Sequence, residues 1–587
     1  MARRAALGYG RLPVSARASI EEGSSSHEDD RPSAPEAPSL GDALPAGAGL
    51  LAHLQLETRA ATVAYWTAVL LVSASVLVPR LLPAVDYPQH LALADVARRL
   101  LDPRAPEHAR YWINYFTYNG LFHVVVAELG RLLPIELAGR LVVASSLALL
   151  GGGALALVRT LGRPPSHAAL FVPAIYSFSL GWGFVNFTLG TALAVTAAAL
   201  VARALVRPSA TLFAATALLG LACAATHVLA MLLLCLLGAA LAAEVGWRSV
   251  GRVGDRLDRR AWRTFLRAFG ALSPLLLGAA WCIAVYKIQY AWDPVAYKDA
   301  TLEGTSPPLW QKFAYFGAWA TGLHSDRTDQ VLLGAALAVM ATGGVLARLG
   351  RRGAPESGLA AKSRAVVLPF FAFLGAYLVT PMVFIGTHLI FPRLAQLVVL
   401  TAAIAAPAFP ARVRTTARRV SLAIAVLTGV SLVVHMALFA RETNDASRVI
   451  DDAPEGRRAT AVVYSPETFS FRNGPLVHLA AYYGARKHGE WAFSFARYLS
   501  VPVRLRAGEG PAWPKIGWEF APEGYDPRCR YARAFDLVFV KAPSDAPDEA
   551  AVRALVFSVD AAAVRLISHH GAYWLFDTKG LATDGTL

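Results

Sequence analysis

The sequence carries little charge for its length. Only 17% of its 587 residues are Asp, Glu, Lys or Arg, whereas 55% are hydrophobic, and the mean hydropathy is +0.43. Because a soluble globular protein carries about 25% charged residues, the composition excludes an ordinary soluble enzyme. Long apolar stretches alternate with short Arg-rich gaps, which predicts a polytopic α-helical membrane protein.

Cysteine is also scarce, and the familiar motifs of soluble enzymes are missing. Cys223, Cys235 and Cys282 lie in apolar segments, and Cys529 lies in a polar region, so the sequence predicts neither a disulfide framework nor a CxxC metal site. The chain has no P-loop, dinucleotide fingerprint, HExxH or GxSxG pattern. These absences leave the membrane region as the place to look for function.

The formal net charge of +15 does not indicate nucleic-acid binding. The basic excess lies within the apolar part of the chain, whereas acidic residues balance or outnumber basic ones in residues 1–60 and 441–587. Such a distribution is typical of membrane topology rather than of a nucleic-acid surface. The expected partner of the chain is therefore the lipid bilayer.

The sequence divides into three regions. Residues 1–58 are rich in Ser, Pro, Ala and Glu and are predicted to be a disordered cytoplasmic tail. They do not resemble a signal peptide, so we expect the first span to be an uncleaved anchor. Residues 59–440 are predicted to be the transmembrane region, with longer outer loops at 80–136 and 288–328. Residues 441–587 lose the apolar runs and are predicted to be a small extracytoplasmic α/β domain.

Hydropathy predicts about eleven transmembrane helices. Every second gap between them is rich in Arg, which predicts that these gaps and the N-terminus are cytoplasmic. With an odd number of spans, the C-terminal domain then faces outward. The bias toward Arg and Ala is typical of a GC-rich bacterial genome, so we expect the plasma (inner) membrane of a bacterium. The predicted spans are 61–79, 137–158, 167–184, 187–206, 209–223, 227–245, 268–287, 329–348, 365–385, 394–410 and 420–440.

The C-terminal region shows short alternating and helical patterns. "RATAVVYS" (458–465) and "FDLVFVKA" (535–542) are predicted strands, and "GAYWLFDTKG" (571–580) is a predicted final strand. Helical patterns at 475–487 and 546–557 separate them.

Asp86, in "VDYPQH", follows the first predicted span directly. A carboxylate at the outer membrane face is partly desolvated and can reach a substrate whose lipid tail lies in the bilayer, which a general base for transfer of an activated sugar needs. The following helix is expected to bring His90 and Asp95 near it. A plainer alternative is that Asp86 caps the helix that begins near Pro88.

The rest of the first outer loop offers aromatic and polar candidates. Tyr111 and Trp112 begin an aromatic run over 111–118, which is either a sugar-binding shelf or an interfacial aromatic belt. Residues 119–133 predict an amphipathic helix that lies along the membrane interface, with His123 and Glu128 on its polar side.

Together these features resemble the GT-C superfamily of membrane glycosyltransferases. The resemblance covers residues 60–587 as architecture: an Asp just after the first span, an interfacial helix before the second, about eleven spans and an outer α/β domain. The ending "FDLVFVKA" followed by "HHGAYWLFD" is similar to the outer-domain ending of these transferases. The resemblance implies transfer of a sugar from a polyprenyl-phosphate donor to an acceptor at the outer face, with Asp86 as base or ligand.

The sequence departs from many members of that family at Tyr87, where a second acid often follows the first. This puts a paired-carboxylate site for a divalent metal ion in doubt, and His90 is the candidate replacement ligand. In "GTHLIFPR", His388 and Arg393 lie where such enzymes often keep a basic residue for the lipid phosphate, and Arg binds phosphate oxygens as a planar fork. Alternatively, Arg393 anchors a helix end by snorkelling.

Other features remain open between a structural and a functional role. His227, in "AATHVLAM", either contacts substrate or hydrogen-bonds a neighbouring helix. The segment "GWGFVNFTLG" (181–190) is predicted to be a close-packed turn whose glycines let backbones approach. The alternatives to a transferase are a non-enzymatic transporter or lipid-handling membrane protein, and a catalytically inactive GT-C-like scaffold.

Overall fold

Helices account for most of the chain in the computed structural model. Nearly all of the predicted tail at 1–58, the centre of the predicted loop 288–328 and parts of two basic gaps lie outside the described residues. The structure describes residues 56–250, 259–292, 306–351, 366–383, 387–498, 500–509, 517–544, 546 and 548–581.

The α-helices of these described residues alternate with short connections. In chain order they are α1 (Arg59–Ser75), α2 (Tyr87–Leu100), α3 (Leu121–Leu129), α4 (Ile135–Thr160), α5 (Phe178–Gly181), α6 (Val185–Ala204), α7 (Ala210–Thr226), α8 (Val228–Val250), α9 (Arg259–Gly270), α10 (Leu275–Trp292), α11 (Leu309–Ala314), α12 (Phe316–Ala320), α13 (Thr328–Arg351), α14 (Leu368–Val379), α15 (Ile390–Ala405), α16 (Ala411–Glu442), α17 (Asn444–Asp451), α18 (Leu479–Lys487) and α19 (Glu549–Phe557).

Within the described part of the chain, six helices are long and apolar enough to cross a membrane: α4, α6, α8, α10, α13 and α16. They support the predicted membrane-spanning protein, but the prediction of eleven spans is wrong. The helices α7, α14 and α15 are apolar but have only 10–17 residues. At 1.5 Å per residue, a 16-residue helix reaches about 24 Å, less than the roughly 30 Å of a bilayer core.

The predicted span at 167–184 is not an α-helix. Its first part is a 3₁₀ helix, Pro165–Ala174, and the short α5 follows it. Proline both opens this segment and recurs inside it at Pro173, and proline lacks the backbone donor that an α-helix interior needs. Residues 166–174 are all buried, so their apolar character reflects packing inside protein rather than contact with lipid.

A five-stranded sheet lies near the C-terminus, with strand order β3-β2-β5-β7-β6. Its β2 is parallel to β3 and β5, whereas β7 is antiparallel to β5 and β6. The strands predicted at 458–465, 535–542 and 571–580 and the helices predicted at 475–487 and 546–557 are confirmed to within a few residues. The strands are β2 (Arg458–Val463), β3 (Glu490–Trp491), β5 (Leu537–Lys541), β6 (Arg565–His570) and β7 (Tyr573–Asp577).

The two faces of this sheet belong to different apolar cores. Because side chains alternate along a strand, Leu537 and Phe539 of β5 join the core that includes the long helices. Val538 and Val540 instead pack with Val552 of α19 in a smaller core. The sheet is thereby fixed against the helical region, and the domain boundary at 440–441 stays a prediction.

The regions predicted as outer loop 80–136 and outer domain lie at the same end of the helices. Antiparallel pairing joins β1 (Tyr111–Ile113) to β4 (Val503–Leu505), and α2 packs against α18. At the other end, Arg163, in a gap predicted as cytoplasmic, donates to the backbone carbonyl of Ala406, the residue after α15. This relative arrangement agrees with the basic-gap pattern, whereas the orientation in the membrane stays a prediction.

Candidate functional site

A glycine turn fixes the backbone of Asp86. The backbone N–H groups of Val85 and Asp86 donate to the carbonyls of Gly181 and Trp182, each at 3.0 Å. Gly183 has a φ of +92°, and a Cβ there would clash with the backbone nitrogen of Asp86. Only glycine allows this approach, so the close-packed turn predicted at 181–190 is confirmed for residues 181–184, whereas residues 185–190 belong to α6.

The Asp86 carboxylate faces a buried histidine of the C-terminal region. Asp86 is the residue before α2, but its side chain makes no capping hydrogen bond, so the capping alternative is wrong. Its Oδ1 lies 3.2 Å from Nε2 of His478, and the side chains are 14% and 3% exposed, respectively. On the other edge of the ring, Nδ1 of His478 lies 3.1 Å from Oε2 of Glu519. Asp86 is thus paired with His478, but part of its side chain remains accessible to solvent.

His478 carries a positive charge at neutral pH. Burial of its ring opposes protonation, but the contacts with the carboxylates of Asp86 and Glu519 outweigh burial and raise the pKa of His478 to about 9. Gln89, one turn along α2, holds the neighbouring backbone because its Nε2 donates to the Phe493 carbonyl at 3.2 Å. The cluster therefore contains a fixed cation between two carboxylates.

His90 and His123 form a neutral pair beside this cation. Nδ1 of His123 lies 3.0 Å from the carbonyl of Asn119, so that nitrogen carries the proton, and Nε2 accepts from Nδ1 of His90 at 3.1 Å. Burial lowers the pKa of His90 to about 4, although the Asp86 carboxylate opposes the shift. Burial also lowers the pKa of His123 well below its usual range, and His90 adds to that shift. In this hydrogen-bond pattern, Nε2 of His90 keeps a lone pair at neutral pH.

The predicted interfacial helix needs correction. Residues 119–133 form only α3 at Leu121–Leu129, and its His123 is fully buried rather than on a polar surface. Glu128, in contrast, is exposed and pairs with Arg131. The helix packs against α2. The hydrogen bond between His90 and His123 lets both ring nitrogens be buried there, whereas in an interfacial helix the ring of His123 would bind water.

Arg393 lies near the start of α15 and is buried. Its Nη1 lies 3.2 Å from Nε2 of His227, and its guanidinium carbon lies 3.7 Å from the ring centre of Phe184. Its Nη2 and Nε donate to the carbonyls of His388 and Leu389. Arg393 is only 5% exposed, so the snorkelling alternative is wrong. Its guanidinium packs on Phe184, and the adjacent Gly183 lies against the backbone of Asp86, so Arg393 and Asp86 belong to the same region. Each Nη carries two hydrogens, so these contacts leave a second hydrogen on both.

His227 and His388 contribute to the cluster in different ways. His227 joins the α7–α8 connection to Arg393, which confirms the predicted contact with a neighbouring helix. His388 supplies its backbone carbonyl, whereas its side chain is exposed. Of the two, only the ring of His227 therefore contacts the Arg393 side chain in the described structure.

Asp95 is wrongly predicted to lie near Asp86. Nine residues make about two and a half turns of an α-helix, so Asp95 lies on the opposite face of α2. It is fully buried there and pairs with Arg98, Arg99 and His488, in the wall of a separate cleft of about 480 Å³.

Tyr111 and Trp112 also lie apart from the cluster. Both belong to β1, where Tyr111 is buried and the Trp112 ring contacts the rings of Trp292 and the guanidinium of Arg504. None of the contacts described for these two residues reaches Asp86. They are therefore components of the β1–β4 ribbon rather than a shelf beside the carboxylate.

The aromatic side chains at the cluster come instead from the C-terminal region. The Phe495 ring lies 5.7 Å from the rings of both His90 and His478. Phe520 lies 6.0 Å from the His478 ring and is 61% exposed, and Tyr498 is 47% exposed. Sequence reasoning missed these residues together with His478 and Glu519, because no periodic pattern marks loops that become neighbours only on folding.

A divalent metal ion does not fit Asp86 and His90. Tyr87, the position of the expected second acid, is buried against Tyr482 and α4 and does not join them. Across the described residues, three potential ligands converge within 4.8 Å of one another at a different place, formed by His324, Asp326 and His435. Asp86 and His90 are therefore assigned roles in proton transfer and charge compensation rather than in metal binding.

The sequence matches no protein-family model and no curated protein. The chemistry of the cluster itself is therefore the guide to function. It combines a partly exposed carboxylate, two cations at His478 and Arg393, an uncharged acceptor at His90, and exposed aromatic rings. Such a set can neutralise an anionic group and accept a proton at the same place.

Proposed function

We propose that this protein is a GT-C-type membrane glycosyltransferase that moves a sugar from a polyprenyl-phosphate donor to an acceptor at the outer face of the membrane. The observation that carries the proposal is that Asp86 pairs with His478 and that Arg393 packs on the turn at Gly183 and Phe184 that holds the backbone of Asp86. Asp86, His478 and Arg393 come from three separate parts of the chain. A surface carboxylate or a helix-end arginine without a function is stable in contact with water and does not require two other charged side chains beside it.

The two cations suit the departing lipid phosphate. In the transfer, the bond between the anomeric carbon and the phosphate oxygen breaks, and negative charge grows on the leaving phosphate. Protonated His478 offsets the negative charge of Asp86 and Glu519, which would otherwise repel the phosphate, and Arg393 supplies the second hydrogens of Nη1 and Nη2. Charge held in place before the reaction stabilises such a leaving group without further reorganisation.

Asp86 suits the role of the base. The acceptor hydroxyl oxygen forms the new bond to the anomeric carbon and gives up its proton. Oδ1 of Asp86 faces His478, which leaves Oδ2 to accept that proton. The exposed rings of Phe520, beside His478, and Tyr498, beside Phe495, offer apolar faces of the kind on which a sugar packs.

The proposal includes the orientation of the protein. The N-terminus is cytoplasmic, and the C-terminal domain with His478 and Glu519 faces outward from a bacterial inner membrane. The cluster then lies at the outer end of the apolar helices, where a donor whose polyprenyl chain is in the bilayer can present its phosphate.

The test measures donor consumption by the full chain in lipid nanodiscs. The probes are polyprenyl-phosphate hexoses and pentoses labelled in the sugar, and the readout is loss of label from the lipid fraction. We expect Asp86→Asn to reduce turnover by roughly 100-fold or more, while the matched control Glu128→Gln, an exposed carboxylate on the same side, keeps it.

Full turnover by correctly inserted Asp86→Asn protein would contradict the assigned base. Passage of an intact probe across a sealed proteoliposome, undiminished in the Asp86→Asn and Arg393→Gln proteins, would instead favour the transporter. Absence of both turnover and passage for every probe would favour the inactive scaffold.

A further inference from the structure

We infer that His324, Asp326 and His435 form a binding site for a divalent transition-metal ion, with Zn²⁺ as the best match, separate from the Asp86 cluster. One ligand atom from each side chain lies within 4.8 Å of the other two. Two imidazole nitrogens and one carboxylate oxygen are a donor set that Zn²⁺ and its first-row neighbours bind, whereas Mg²⁺ and Ca²⁺ prefer oxygen alone.

The hydrogen bonding of His435 prepares one ring nitrogen as a ligand. Its Nδ1 lies 2.8 Å from the backbone carbonyl of Ser431, one turn earlier in α16, so Nδ1 carries the proton. Nε2 of a neutral ring then holds a lone pair. A histidine that ligates a metal commonly donates its other N–H to a carbonyl in this way.

That lone pair faces a carboxylate. Nε2 of His435 lies 3.3 Å from Oδ2 of Asp326, a distance at which a lone pair on Nε2 and the carboxylate repel each other unless a proton or a metal ion lies between them. Two ligands of a tetrahedral Zn²⁺ site, each about 2.1 Å from the ion, are separated by about 3.4 Å. The pair therefore has the spacing that a shared ion requires.

His324 provides independent evidence for a ligand. It is only 3% exposed, and no described residue is a hydrogen-bond partner of its Nδ1. A buried polar atom without a partner is costly. The His324 ring stacks on the His435 ring, with centroids 3.7 Å apart and planes 13° apart, so the two imidazoles are direct neighbours.

The surrounding structure holds these three side chains without help from a metal. The backbone N–H groups of Leu323 and His324 donate to Oδ2 of Asp329, which also places a further negative charge near the site. Oδ1 of Asp326 accepts from the N–H of Thr328 at 2.9 Å, and this bond leaves Oδ2 directed to His435.

The site is apolar on one side and open on the other. Phe471 packs edge-on against both His324 and His435, while the Asp326 side chain is 56% exposed. An ion can enter from the Asp326 side and keep water as its remaining ligand. The bound ion would link the loop before α13 to α16. This link would also hold Leu323 in place, which packs directly on Gly181.

The test measures metal binding by the purified full chain in nanodiscs after treatment with a chelator. Zn²⁺ content is counted by mass spectrometry, and Co²⁺ serves as a spectroscopic substitute whose visible absorption reports tetrahedral nitrogen and oxygen ligands. We expect one Zn²⁺ per chain. Asp326→Asn should weaken Zn²⁺ binding by more than roughly 10-fold. Loss of a residue that only hydrogen-bonds a metal ligand already costs about that much, and Asp326 is itself a ligand.

Asp326→Asn is the variant of choice because Asp326 is exposed and the Oδ1 of Asn can still accept the hydrogen bond from the N–H of Thr328. His435→Gln and His324→Asn test the buried ligands, and His570→Gln is the matched control, because His570 also pairs with an aspartate, Asp452, but at an exposed place. Loss of Zn²⁺ in the three site variants but not in the control supports the site. Undiminished Zn²⁺ in Asp326→Asn, or no Zn²⁺ in the wild-type protein, would overturn it.

Discussion

Asp86 and His478 form an ion pair, with 3.2 Å between Oδ1 and Nε2, that connects the start of α2 to the start of α18. The same histidine also contacts Glu519. One buried cation therefore links the first loop to two parts of the C-terminal region. The stability of the fold and the electrostatics of the candidate site consequently depend on the same proton.

The first prediction concerns pH and stability. The pKa of His478 is about 9 in the folded protein and about 6.5 when unfolded. Because the folded value is higher, the stabilisation is fully present below about pH 6.5 and is lost as the pH rises toward 9. The shift corresponds to about 3 kcal/mol as an order of magnitude. Chemical unfolding in detergent at pH 6 and pH 9.5 measures it.

His478→Gln is the comparison for this measurement. It should reduce the difference in unfolding free energy between the two pH values, since the titrating group is gone. Asp86→Asn should move the loss to lower pH, because only Glu519 then supports the charge. Identical pH profiles for the wild-type and His478→Gln proteins would be incompatible with a protonated His478.

The second prediction concerns the glycine turn. Gly183→Ala should destabilise the protein by more than about 1 kcal/mol, because the φ of +92° and the backbone of Asp86 both exclude a Cβ. Gly334→Ala is the matched control, since Gly334 lies inside α13 with open space around its Cβ position. There the change should be neutral or stabilising. Thermal unfolding of both variants measures the effect, and equal melting temperatures would refute the packing argument.

The third prediction concerns Arg393 and depends on the proposed transferase. Arg393→Lys keeps the charge but loses the planar fork that contacts His227 and two carbonyls. We expect kcat/KM for the polyprenyl-phosphate donor to fall roughly 10-fold or more. Steady-state kinetics measure it, with Arg131→Lys as the exposed control. An unchanged kcat/KM would remove Arg393 from the phosphate site.

The fourth prediction concerns the neutral histidine pair. His123→Phe removes the acceptor of the Nδ1 proton of His90 and leaves a buried donor unpaired, which costs about 1–3 kcal/mol. The exposed His388→Gln serves as control. The unfolding free energy at pH 7 measures both, and a His123→Phe protein as stable as the control would argue against the inferred tautomers.

The sequence was most informative where a residue adjoins an apolar segment. Asp86 and Arg393 could be predicted to lie near each other because each lies at a segment end on the same predicted side. The strands β2, β5 and β7 could be predicted from their alternation and their β-branched and aromatic residues. In these cases a local pattern carries the information.

Other features depend on contacts between distant parts of the chain. His478 and Glu519 lie in segments with no marked periodicity, and only the packing of α18 against α2 brings them to Asp86. The buried 3₁₀ segment at Pro165–Ala174 is as apolar as a span, so hydropathy cannot separate the two. Local patterns do not record which residues become neighbours.

The residues near Asp86 and those near His478 lie far apart in the sequence, and this separation has a consequence for biosynthesis. Leu82 and Tyr482, which hydrogen-bond beside the cluster, are 400 residues apart. At about 5–20 residues per second, the ribosome synthesises His478 roughly 20–80 seconds after Asp86. Throughout that interval Asp86 lacks its histidine partner, so the site matures only after the segment that carries His478 and Glu519 has been translated.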